Sequence, residues 1–104
     1  MQKRRYEMLL PLKYNDGCSV EVEKIYQTRE ELIARFDAVS FQPGVVQGTW
    51  VYEGVRYEDD LRQIVVDVED TLEMRQFFLD YKPILCERFQ QIEIYITSYV
   101  VEVL

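Results

Sequence analysis

The chain has 104 residues, 48% apolar and 30% charged, with a net charge of −7. That length leaves room for one domain around one core, and the balance is globular rather than disordered. No apolar run approaches the roughly 20 residues a membrane span needs, so no membrane partner is expected.

The negative charge is unevenly placed. Residues 1–52 hold seven basic and seven acidic side chains, whereas residues 53–104 hold five and twelve. An acidic domain is repelled by phosphate backbones, and Lys3, Arg4 and Arg5 are too few to reverse that. Nucleic acid is therefore not an expected partner. The basic start is followed by a polar, broken stretch without a signal-like apolar block, which points to the cytoplasm. Cys18 and Cys86 form no CxxC pair and are read as free thiols. The absence of histidine removes the commonest general base, the usual zinc ligand and any Ser-His or Cys-His nucleophile pair. No cofactor or metal is expected.

In chain order, Arg5–Lys13 places Tyr6, Met8, Leu10 and Leu12 on one side with strand periodicity, and Pro11 weakens its end. Asn15-Asp16-Gly17 is a turn. Residues 19–26 fit either an extended segment or a short helical turn. Thr28-Arg29-Glu30-Glu31 has capping-box spacing, and Leu32, Ile33 and Phe36 continue it as a helical stripe to about Ala38. After Pro43-Gly44 a strand runs from Val45 to Tyr52, and Glu53-Gly54 is a hairpin turn. The return strand is weak at Val55–Tyr57 and firm at Gln63–Val68. Asp70 is expected to cap the second helix, whose buried face is Phe77, Tyr81, Ile84, Leu85 and Phe89. Pro83 should kink or divide that helix. Ile92–Leu104 is the last strand, with Ile92, Ile94, Ile96 and Val100 on one face.

The order strand, helix, strand, strand, helix, strand predicts an α+β fold. Its simplest form is a ferredoxin-like βαββαβ two-layer sandwich, a four-stranded antiparallel sheet with two helices on one face. The other sheet face would carry Tyr95, Thr97, Tyr99, Val101 and Val103, and on another strand Trp50 and Tyr52 beside Val46. Such an aromatic, partly polar surface suits an oligomer interface, a pocket wall or a half-exposed sheet. From Glu53 to Glu73 eight carboxylates face two arginines. Glu58-Asp59-Asp60 could attract a hard cation but lacks calcium-loop spacing, and reads as an acidic surface. In the loop Tyr14–Ser19, Cys18 has no histidine to activate it, so a structural turn is expected.

Leu10–Gly17, Thr28–Leu32, Gln47-Gly48-Thr49-Trp50 and Phe89–Ile94 resemble a small uncharacterised bacterial family of about one hundred residues with βαββαβ order. The resemblance implies a fold and no established activity. It marks Asp16, Gly17, Gln47, Trp50, Tyr57 and Gln90 as positions to test first, without a catalytic role for any.

The leading expectation is a non-enzymatic interaction or regulatory domain, homodimeric through Trp50, Tyr52, Tyr95 and Tyr99, whose acidic half meets a basic protein partner. The alternative is a cofactor-independent enzyme or small-molecule binder. It would use Trp50, Tyr52, Tyr57, Glu58, Asp59 and Tyr95, and a cavity converging on a buried carboxylate would favour it.

Overall fold

A computed structural model describes residues 2–104. Alternating apolar residues make β1 (Gln2–Pro11), whose Tyr6, Met8 and Leu10 are buried. The chain then forms α1 (Val22–Arg35), β2 (Val39–Phe41), β3 (Val46–Tyr52), β4 (Val55–Glu69), α2 (Leu72–Arg88) and β5 (Tyr95–Glu102). β4 is hydrogen-bonded to β1, and β1 to β5; β2 and β3 both pair with β4, and every pairing is antiparallel. The expected α+β sandwich is present. Its sheet has five strands among the described residues rather than four, because Val39–Phe41 forms a short strand against Ile64–Val66.

The core lies between one sheet face and the two helices. Met8, Leu10, Ile64 and Val66 meet Leu32, Leu85 and Phe89, all with no exposure, and Tyr6 stacks on Phe78 with ring centroids 4.0 Å apart. No helix among the described residues is long and apolar enough to cross a membrane.

Several local expectations are corrected. The undecided segment 19–26 turns helical at Val22, so Thr28 lies inside α1 rather than capping it. Its buried hydroxyl donates to the Lys24 carbonyl (2.9 Å) and accepts from Arg88 Nη1 (2.8 Å). Glu31, the presumed box partner, instead receives both Arg88 nitrogens at 2.8 Å and the Tyr81 hydroxyl at 2.8 Å. The motif is thus spent on joining α1 to α2. α1 ends at Arg35, not Ala38, and Ile33 is exposed.

Thr71, not Asp70, caps α2 by accepting from the Met74 amide (3.2 Å), while Asp70 takes Arg4 Nε at 2.8 Å. Pro83 leaves α2 undivided from Leu72 to Arg88. On its buried face Phe78 replaces the expected Ile84, which is exposed. Ile92 is fully exposed and lies before the last strand. Gln90, at φ 54, occupies the left-handed residue after α2, where the Gln91 amide donates to the Cys86 carbonyl (2.9 Å).

The largest difference is β4. Its weak and firm halves form one 15-residue strand. Leu61–Glu69 lies between β1 and its other neighbours, whereas Val55–Asp60 runs past the end of β1 with β3 as its only strand partner among the described residues. Residues 46–60 therefore form a two-stranded arm projecting from the body. Glu53 (φ 51) and Gly54 (φ 75) close its tip in the left-handed turn that suits the twist of a two-residue hairpin. The arm explains a radius of gyration of 14.3 Å, where a chain of this length packed as a ball has about 13 Å.

Candidate functional site

Strand alternation carries one sheet face continuously from β5 to the arm. Tyr95 and Tyr99 on β5, Leu9 on β1, and Trp50, Tyr52 and Tyr57 on the arm all point away from the helices by register. The aromatic residues predicted to share the open face do so, but they form two groups. Tyr95 lies in the row of Leu9 and Gln63, and Tyr57 is six positions along β4 from Gln63, or about 20 Å. On the side of that row away from the arm the face is polar: Arg5 grips Asp67 with two bonds (2.7 and 3.0 Å), and the Tyr99 hydroxyl donates to Glu7 at 2.7 Å. Arg5 holds the Asp67 carboxyl below its ordinary range.

The arm group is the more concentrated. Trp50 and Tyr57 are opposite residues and their rings stack at 4.6 Å; Tyr52 follows at 6.5 Å from Trp50. The indole Nε1 donates to Asp59 Oδ2 at 2.7 Å, fixing the ring plane. On the same face a Cβ at Gly48 would approach Leu61 Cδ1 to 3.0 Å, so glycine leaves room there for the leucine side chain.

Beside the arm is a cleft of about 900 Å³. One wall is the arm, including Gln47, Trp50, Tyr52, Tyr57 and Glu58-Asp59-Asp60; the other is Lys13, Tyr14, Asn15 and Gly17, with Gln91 and Ile92 between them. Most of the sequence-selected residues thus converge on one place. Asp16 stands in the facing loop, where its carboxylate accepts from the Cys18 amide (2.9 Å) and raises the thiol pKa. Cys18 thus lies in the expected turn, with its thiol pKa raised rather than lowered. Gln90 adjoins the lining as a helix-end residue, and Tyr95 and Tyr99 lie outside it on β5.

The loop wall is anchored from behind. Lys24 Nζ donates to the Tyr14 hydroxyl (2.6 Å) and to the Arg88 carbonyl (2.8 Å), and Tyr14 donates to Glu21. Tyr14 lowers the Glu21 pKa and raises that of Lys24, since each charged form gains a bond. Arg88 likewise holds Glu31 low, while burial foremost pushes the Tyr81 phenol up. These perturbed groups hold elements together and face each other, not a substrate space.

The cleft is open, and its carboxylates Glu58 and Asp59 are exposed. No three acidic or cysteine side chains are arranged to hold a metal among the described residues. Sequence reading missed Thr49, Arg56, Gln91 and Ile92 as lining residues, because their approach is set by the long β4 and by the end of α2, which no local pattern encodes.

No family model matches the chain, and no curated protein matches it in sequence. Among solved structures it superposes on CutA1 from Oryza sativa, with a TM-score of 0.71 at 10% identity over 99% of this chain and 83% of that one. A phage SAM lyase in complex with S-methyl-5'-thioadenosine gives 0.69 at 14% identity, covering 97% and 90%. CutA from Synechococcus elongatus gives 0.61 at 12%, covering 96% and 80%. At these identities the likeness establishes the fold.

Proposed function

We propose that the protein is a small cytoplasmic interaction or regulatory domain, without catalytic activity, that works as a homodimer or higher homo-oligomer. The observation that carries this reading is the arm. Trp50, Tyr52, Val55 and Tyr57 share one face of this hairpin and are 49, 59, 52 and 40% exposed. An isolated hairpin is marginal in water, and large contiguous apolar exposure marks interaction surfaces. A second copy laid on the arm and the aromatic sheet face would cover both, and an interface of about 1,000 Å² or more would hold it. The acidic side chains of the arm, Glu53, Glu58, Asp59 and Asp60, then offer a rim for a basic protein partner.

Sedimentation over a hundredfold concentration range tests this. A mass that is a multiple of 12.5 kDa is expected, dissociating in Trp50→Ala/Tyr52→Ala while circular dichroism stays unchanged. A 12.5 kDa species persisting at millimolar concentration would contradict it.

A second reading is favoured by the cleft. Its aromatic wall and volume suit a small organic molecule, and the phage enzyme of the same fold is itself in complex with a nucleoside. Native mass spectrometry of gently purified protein would show a retained organic mass if this reading holds.

A further inference from the structure

We propose that the cleft between the arm and the β1–α1 loop binds a small organic cation, an alkylated or protonated amine on a compact apolar body. The proposal rests on the small-molecule reading of the cleft and names the chemical class of its ligand.

Three observations converge on that class. Trp50, Tyr57 and Tyr52 form a contiguous set of rings on the arm wall, each 40–59% exposed. Aromatic faces carry negative quadrupole potential and attract cations within about 6 Å of the ring centroid, indole most strongly. The Trp50 N–H is donated to Asp59, which places a full negative charge at the edge of the best ring and polarises it toward greater electron density.

The balance of charge agrees. The lining contains Glu58, Asp59 and Asp60 against Lys13 and Arg56, and Arg56 Nη2 is already paired with Glu58 at 3.0 Å. Lys13 stands on the opposite wall beside Tyr14. An anion would meet this local excess and the −7 charge of the whole chain. A metal ion is the weaker candidate, since hard cations require several converging oxygens and no such group of three occurs among the described residues. A weakly hydrated organic cation needs no such coordination; it needs ring faces and a nearby carboxylate.

Trp50 is the sole tryptophan, so its emission reports directly on the site. The full chain would be titrated with choline and, separately, with 3,3-dimethylbutan-1-ol, which has the same shape without the charge. The expected result is a saturable emission change with choline and at least tenfold weaker binding of the alcohol. Asp59→Asn, which keeps an acceptor for the indole but removes the charge, should weaken choline at least threefold without altering circular dichroism. Equal affinity for the two probes would overturn the cation assignment while leaving the cleft as a small-molecule site. Absence of any response to either, by emission and by amide chemical shifts of the lining residues, would overturn both.

Discussion

The body and the arm are built from the same strand yet obey different rules. In the Leu61–Glu69 half of β4, Ile64, Val66 and Val68 are buried at every second position. In the Val55–Asp60 half no residue is buried, and apolar, aromatic and acidic side chains follow one another without regard to a core. The body has a closed core: the helix-facing side of its sheet meets the helices, which are tied through Arg88, Glu31, Tyr81 and Thr28. The arm keeps its backbone bonds but leaves its rings in solvent.

That contrast should be sharpest in stability. Leu85 is fully buried between α2 and the sheet. Leu85→Ala is expected to cost about 2–5 kcal/mol in urea unfolding, through lost transfer energy and a residual cavity. A cost below about 1 kcal/mol would show that the body is looser than its packing implies.

The helix tie comes next. Arg88 has a side chain only 10% exposed and makes two bonds to Glu31. Arg88→Ala should cost about 2–3 kcal/mol, because charge-assisted bonds vanish and the half-buried Glu31 and Tyr81 lose their partner. The pH dependence has a definite sign. Glu31 titrates below its ordinary value in the fold, chiefly because Arg88 bonds to its charged form. Its contribution is therefore present above the unfolded carboxylate value of about 4.3 and is lost as pH falls through the lower folded value. Glu21 and Asp67 are shifted the same way, so the informative quantity is the difference between wild type and variant. Urea midpoints should lie well apart at about pH 7 and draw together as pH falls below about 4.3. A constant gap across that range would mean the pair is not the source.

The same contrast governs what the sequence could reveal. Strand alternation in Tyr6, Met8, Leu10 and in Ile64, Val66, Val68 encodes the body, because burial imposes a period of two. Glu58-Asp59-Asp60 hid the continuity of β4, since an arm bathed on both faces needs no such alternation. Thr28 and Glu31 have the spacing of a cap, yet the same spacing on one helix face serves to grip a residue 57 positions away from Glu31. The aromatic side chains of the site were legible as residue types; their separation into an arm group and a β5 group was not, because it depends on how far β4 outruns β1.

The smallest expected effect isolates the arm from the body. Gly54 sits at φ 75 at the hairpin tip, beside Glu53 at φ 51, and an added Cβ there would meet no other atom within 4 Å. Gly54→Ala should therefore act through backbone strain alone, of the order of 1 kcal/mol. If the arm is an autonomous device, that strain will appear as faster hydrogen exchange at the amides of Val46–Tyr52 and Val55–Asp60, while Met8, Ile64 and Leu85 keep their protection. Self-association should weaken in the same variant, since a frayed arm must be ordered again before it can be covered. Equal loss of protection in arm and body would instead mean that β4 transmits strain along its whole length, and that arm and body fold as one cooperative unit.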